Sequence, residues 1–192
     1  MNLGTTIRAR RNRLGLTLEA LAARAEISRA MLSEIERGTK NPTIRVVVRI
    51  AGALDCSVSE LLGEPTPSTT ERTTIVRRAD RRTLVDPRTG VERQSLSPSL
   101  LRRGAEVVWY HIPPGSCAGP FPPHPLGVEE HITVVRGELR CHLAGRQIDL
   151  REGDAVSFPA DVEHQFRNVG AEPCQYFLVH LFGDPAVGTP RP

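Results

Sequence analysis

The stretch "HPLGVEEHITVVRG", residues 124–137, sets an imidazole at His124 and a carboxylate at Glu130 within one short segment. Imidazole nitrogen and carboxylate oxygen together suit a borderline divalent metal ion, or the hydrogen bonds of a polar small molecule. The segment reads as half of a metal-binding pocket with a ligand missing. A second kind of chemistry lies nearer the N-terminus. Arg29, Ser33 and Arg37 recur at i, i+4 and i+8, so on a helix they form one polar stripe suited to the major groove of a nucleic-acid duplex. Four arginines, Arg8, Arg10, Arg11 and Arg13, also fall in the first thirteen residues with no acid among them.

The elements that must position these groups divide the chain in two. Residues 1–63 carry ten Lys/Arg against six Asp/Glu, a net +4, and residues 64–192 carry fifteen against sixteen, a net −1. A basic front and a neutral rear fit a polyanion-binding module joined to something else. Hydrophobic residues make up 39% of the chain, enough for packed cores, which excludes bulk disorder. Helical signals dominate the front. "TLEALAARA" places Leu18, Leu21, Ala22 and Ala25 on one face after a Thr17 cap. "ISRAMLSEIERG" repeats the device with a Ser28 cap and a Gly38 stop. "PTIRVVVRIAGALD" sets Ile44, Val47, Ile50, Ala51 and Leu54 at helical spacing behind Thr43, and "SVSELLG" opens with a Ser57/Glu60 capping box. With a first helix near Leu3–Arg13 this predicts five short helices. On the third, Met31, Leu32 and Ile35 turn to the core and Arg29, Ala30, Ser33, Glu34 and Arg37 face outward.

From Glu64 to Arg72 the text "EPTPSTTER" has no large apolar residue and predicts a linker. Beyond it the period becomes two. "TTIVRR", "AEVVWYHI", "EEHITVVRGELRCHLAG", "DAVSFP" and "CQYFLVHLF" read as strands without interleaved helices, hence a barrel or sandwich over 73–183. Residues 184–192, "DPAVGTPRP", read as a flexible tail. No apolar run approaches the roughly 18 residues that a membrane span needs. The opening "MNLGTTIRARRNRLG" lacks an apolar core after its charges, so no secretory leader is expected. Cys56, Cys117, Cys141 and Cys174 are widely spaced with no C-x-x-C pair, and the expectation is a cytoplasmic protein with reduced thiols.

Several features of the front half agree at once: "LGLTLEALAARAEIS", "SEIERG", the "PT" before the fourth helix, "IAGAL" within it, and "SVSELL" at the end. Together they resemble the lambda-repressor-like helix-turn-helix of the XRE family over residues 3–63. The resemblance implies a DNA-binding domain in which Arg29, Ala30 and Ser33 meet base edges. An arginine there grips guanine through two hydrogen bonds worth about 1–3 kcal/mol of discrimination. It further implies phosphate contacts from Lys40 and Asn41 and from the N-terminus of the second helix at Thr17, with Arg37 completing the DNA-facing stripe of the third helix. Arg11 and Glu36 occupy positions that pair in relatives, which predicts a structural salt bridge. Two positions depart from the pattern. Leu18 stands where many members place a DNA-reaching glutamine, and Glu26 replaces the usual turn glycine, which predicts a turn less dependent on positive φ.

"GDAVSFPADVEHQFRN", with Gly153, Pro159, His164 and Asn168, together with His124, Glu130 and Gly137, resembles the two motifs of a cupin. This implies an all-β double-stranded β-helix, or jelly-roll barrel, behind the all-α bundle. In metal-bearing cupins the ligands are two histidines of an H-x-H pair, a glutamate, and the second-motif histidine. Carried over, these are His124, Leu126, Glu130 and His164. The remaining set, His124, Glu130 and His164, matches a facial-triad site for Zn, Mn, Fe or Ni. The same three residues are equally a metal-free polar pocket, with Phe158, Phe166, Ile132, Val134 and Trp109 or Tyr110 as walls. His111, His131, His142 and His180 have strand context without a motif, and Cys141 reads as core.

The resemblance thus implies a homodimeric transcriptional regulator whose barrel binds a small-molecule effector and modulates binding to a pseudo-palindromic operator. The alternative is a metal-dependent cupin enzyme, an oxygenase or isomerase, with an accessory DNA-binding domain. A partner-binding antitoxin or adaptor would leave the barrel unexplained.

Overall fold

The computed structural model describes residues 3–62 and 74–183; the expected linker, 64–72, and tail, 184–192, lie outside the described residues. The chain divides into two compact units, the first of helices and the second of strands.

The helical unit contains α1 (Leu3–Arg13), α2 (Leu18–Arg24), α3 (Arg29–Glu36), α4 (Ile44–Ala53) and α5 (Val58–Leu61). Thr17, Ser28, Thr43 and Ser57 sit at the N-caps of α2 to α5 in extended backbone, and each hydroxyl oxygen accepts from the amide three residues on. Ser57 and Glu60 complete the reciprocal capping box. The apolar periods behind these caps converge, and Ile7, Leu21, Leu32, Ile35, Val47, Ile50, Leu54 and Leu61 are buried. Met31, expected beside them, is only half-buried.

The helix exits share one device. Ile27 N–H donates to Ala22 O, Thr39 N–H to Glu34 O and Cys56 N–H to Ala51 O, each at 3.0 Å. This pairing requires a left-handed residue just before the donor. Those residues are Glu26 at φ 50°, Gly38 at 72° and Asp55 at 54°. The turn between α2 and α3 therefore keeps its positive φ with glutamate in place, contrary to the sequence-based expectation. The conformation costs an L-residue about 1–2 kcal/mol. Arg49 of α4 offsets it, donating to the Glu26 carbonyl at 3.2 Å and pairing with its carboxylate at 3.2 Å.

The β unit comprises β1 (Thr83–Val85), β2 (Glu92–Ser95), β3 (Ala105–Ile112), β4 (Cys117–Phe121), β5 (Val128–Arg136), β6 (Glu138–Leu143), β7 (Arg146–Arg151), β8 (Ala155–Pro159), β9 (His164–Asn168) and β10 (Cys174–Phe182). They form a six-stranded sheet in the order β1-β2-β3-β10-β5-β8 and a four-stranded sheet in the order β4-β9-β6-β7, every pairing antiparallel. The sheets meet over one core, as in the contact of Phe166 on β9 with Tyr176 on β10, ring centroids 5.9 Å apart. This is the jelly-roll layout of a cupin.

One predicted strand is absent. Residues 74–77 of "TTIVRR" are irregular and Arg78–Asp80 is a single 3-10 turn. Ile75 is 68% exposed, so the segment has no face to bury. Conversely, β2 shows no apolar period because its two inward residues are Arg93 and Ser95. Among the described residues no helix is long and apolar enough to cross a membrane.

Candidate functional site

In the helical unit, α3 exposes Arg29, Ala30 and Arg37 and half-exposes Ser33, with Leu32 and Ile35 buried beneath. Each cation near this face has an exchangeable partner. Arg29 pairs with Glu19 of α2, Arg37 donates to the Ser33 hydroxyl, and Lys40 lies 3.2 Å from a Glu34 carboxylate oxygen. Exposed pairs of this kind stabilise by only about 0–1 kcal/mol, so a phosphate or a guanine edge can replace the protein acid. Lys40 and Asn41 are exposed in the loop after α3, and Thr17 is exposed with its hydroxyl oxygen accepting from Ala20 N–H at 3.1 Å. Arg11 is different. It donates twice to Glu36, at 2.7 and 3.0 Å, and to Leu16 O at 2.9 Å, with little exposure on either partner. The Glu36 hydrogen bond raises its pKa against the opposing effect of burial. This pair ties α1 to α3 and is structural.

In the β unit, prolines at 122, 123 and 125 flank His124, whose amide donates to Ala160 O at 2.9 Å. Val128 N–H closes a turn onto Pro125 O at 3.2 Å. Leu126 rides on that turn and is 84% exposed, so the position of the absent ligand faces solvent. Glu130 on β5, His164 on β9 and His180 on β10 turn inward. Three imidazoles then converge on one carboxylate oxygen: Glu130 Oε1 lies 3.1 Å from His124 Nε2, 3.2 Å from His180 Nε2 and 3.4 Å from His164 Nε2.

The far nitrogens are held as well. His164 Nδ1 donates to Val162 O at 2.8 Å, and His180 Nδ1 lies 3.3 Å from Glu106 Oε2, whose other oxygen accepts from Arg93 at 2.7 Å. Burial disfavours charge on His180, yet Glu130 and Glu106 on either side outweigh it and push its pKa up to about 9. Burial likewise disfavours the Glu130 anion, but the His180 charge and the hydrogen bonds of His124, His164 and His180 hold its pKa well below the usual carboxylate range. Phe121, Phe158 and Phe166 surround the His164 ring at 5.5, 5.7 and 5.5 Å.

The donor set fits a metal. His124, Glu130 and His180 each offer one atom, all within 4.8 Å of one another. Donors placed about 2.0–2.2 Å from a common ion are separated by about 3–4 Å, and Glu130 Oε1 lies 3.1 Å from His124 Nε2 and 3.2 Å from His180 Nε2. Glu130 Oε2 is moreover buried and has no hydrogen-bond partner among the described residues, an acceptor available to a cation. Zn, Mn, Fe or Ni would suit three nitrogens and a carboxylate. Such an ion would act as a Lewis acid or hold an effector's oxygen, and it would replace a proton on each imidazole that it binds.

A helix-turn-helix family profile matches residues 7–61, and a cupin-domain profile matches residues 108–180. The HTH-type transcriptional regulator SutR of Escherichia coli (strain K12) is 29% identical over 93% of this chain and 94% of its own length. An uncharacterized HTH-type transcriptional regulator, y4dJ of Sinorhizobium fredii, is 39% identical over 35% of this chain and 86% of its own length. The crystal structure of an HTH_3 family transcriptional regulator from Vibrio cholerae matches with a TM-score of 0.78 over 95% of this chain and 96% of that one, at 24% identity. The chain belongs to the XRE family of helix-turn-helix regulators that carry a cupin domain.

Within this XRE regulator the structure brings His124, Glu130, His164, Phe158 and Phe166 together. Tyr110 is inward and stacked on Tyr176, centroids 5.1 Å apart, whereas Trp109 turns outward onto Phe177 and is no pocket wall. Ile132 and Val134 are inward and buried. His131 bonds Ser157 and Thr133 on the outer face and takes no part in the pocket. His180, Glu106 and Phe121 were not legible as site residues from motifs. The signal for the first two was strand parity: His180 shares a face with Tyr176 and Leu178, and Glu106 shares one with Val108 and Tyr110.

Proposed function

We propose that the protein is a sequence-specific DNA-binding regulator, acting in the cytoplasm as a homodimer, whose cupin pocket binds a small effector that alters operator affinity. Residues 1–63 serve as the reader and 73–183 as the sensor. The observation that carries the reading is the α3 face, where Arg29, Ala30, Ser33 and Arg37 are presented over a buried Leu32–Ile35 underside. Arg29 and Ser33 read base edges, and Arg37, Lys40, Asn41 and Thr17 hold phosphates. An effector changes DNA affinity only by binding two arrangements of the dimer unequally, and the polar cluster around Glu130 is where that difference arises.

Fluorescence anisotropy with duplex DNA from upstream of the protein's own gene tests the reading. Arg29→Ala with Ser33→Ala is expected to weaken binding at least about tenfold, the loss of one bidentate base contact of about 1–3 kcal/mol, with unchanged circular dichroism. Full affinity in the double variant would remove α3 as the reading face.

The three imidazoles on Glu130 favour a second reading, a metal-dependent cupin enzyme. The regulator reading is preferred because the chain matches a helix-turn-helix profile over residues 7–61 and is similar over 93% of its length to the transcriptional regulator SutR. Metal-loaded protein that consumes dioxygen or isomerises a sugar at enzymatic rates would reverse the preference.

A further inference from the structure

We propose that the cupin pocket binds one divalent transition-metal ion through three imidazoles and Glu130, with His180 supplying the imidazole that Leu126 lacks and Glu106 positioning it. The proposal rests on reading this pocket as the sensor, and is independent of the α3 face.

Strand register carries it. His180 stands opposite Glu106 across β10–β3 and opposite Glu130 across β10–β5, so the three residues form one inward row over three neighbouring strands. The row aims each end of the imidazole at a different carboxylate. Nδ1 faces Glu106 at 3.3 Å and Nε2 faces Glu130 at 3.2 Å, beside His124. A carboxylate on the far nitrogen fixes ring orientation and raises the basicity of the metal-facing nitrogen. Glu106 is itself fixed by Arg93 at 2.7 Å, with side-chain exposures of 2% and 1%. Burying that ion pair is costly, and the geometry of the row is what it maintains.

A purely structural network accounts for less. Three imidazoles crowd Glu130 Oε1 while Oε2 is buried with no hydrogen-bond partner among the described residues. Satisfying a carboxylate for stability alone would spread the donors over both oxygens. His124, His180 and Glu130 bring their ligand atoms within 4.8 Å of one another, the arrangement a cation needs, and His164 Nε2 approaches the same carboxylate oxygen at 3.4 Å. The turn that carries Leu126 outward leaves β10 as the source of the third imidazole.

The test uses the full chain, stripped with a chelator and reloaded with zinc. Mass spectrometry of the wild type is expected to give one ion per chain, and zinc K-edge absorption to fit three imidazoles. A two-imidazole fit overturns the three-imidazole site, and failure to bind zinc overturns the proposal altogether. This measurement needs no variant to fold. His180→Ala is expected to fit two imidazoles and to bind at least about a hundredfold more weakly, the upper range for a lost supporting group. Wild-type affinity in that variant also overturns the proposal. Glu106→Gln is expected to keep three imidazoles at saturation yet bind about 10–100-fold more weakly; unchanged affinity removes its positioning role. His142→Ala, altering an outward residue of β6, serves as the control. Anisotropy on duplex DNA is measured separately, so loss of the regulator reading and loss of the His180 ligand give different results.

Discussion

At the scale of single residues, burial acts on acids according to what surrounds them. Glu130 is buried among imidazoles and remains ionised. Cys141 and Cys174 are buried and Cys56 is half-buried near charged side chains, and desolvation pushes each thiol up to about 12 from the ordinary 9. The sign of the linkage follows. The fold favours the neutral thiol, so this contribution to stability is fully present below pH 9 and is lost as pH rises toward 12. Tyr110 acts the same way from 10 upward, its phenol pushed up to about 12 by burial. Urea unfolding of metal-free protein should therefore show a midpoint that falls between pH 9 and 11. Ellman's reagent at pH 8 should label Cys56, Cys141 and Cys174 promptly only after unfolding. Rapid labelling of all four cysteines in native protein would contradict these assignments.

At the scale of elements, α1 and α3 cross at a glycine. A Cβ on Gly4 would overlap the Ile35 carbonyl oxygen and lie 2.8 Å from that of Glu36. Helix propensity and packing make opposite predictions here. In an open helix, Gly→Ala adds about 1 kcal/mol of stability. At this crossing the new methyl meets backbone, which cannot rotate away, and it would also disturb the Arg11–Glu36 pair on the same two helices. Gly4→Ala should lower the stability of the helical unit by about 1–3 kcal/mol, the usual cost of overpacking, and DNA affinity should fall with it. A higher melting temperature would show that α1 shifts freely. The elements were unevenly legible beforehand. Thr17, Ser28, Thr43 and Ser57 announced α2 to α5 because a cap and its helix are neighbours in sequence. β2 was silent because its inward Arg93 is paired with Glu106, a partner on another strand.

At the scale of the whole molecule, the proposed dimer sets a length on its DNA. Paired recognition helices meet successive major grooves when half-site centres lie about 34 Å apart, one helical turn. Inserting about five base pairs between half-sites rotates one of them to the opposite face of the duplex. Affinity should then drop to that of a single half-site, and a ten-base-pair insertion should restore part of it. Equal binding to all three spacings would argue for a monomeric reader. Association should also weaken with salt, since the cations Arg37 and Lys40 are assigned to phosphates.

The sequence by itself determined the five helices, four of them behind caps, the outward stripe of Arg29, Ser33 and Arg37, the change to a period of two, and the pairing of His124 with Glu130 within one segment. Each of these is written in residues a few places apart, where spacing alone fixes direction. It did not determine the backbone of the Glu26 turn, which depends on helix-exit hydrogen bonds and on Arg49 of another helix. Nor did it determine that His180 meets Glu130 while Trp109 turns away, or that Leu126 leaves the pocket. Those outcomes depend on which strands lie side by side and in what register, and a shift of one residue would have sent every one of these side chains to the other face.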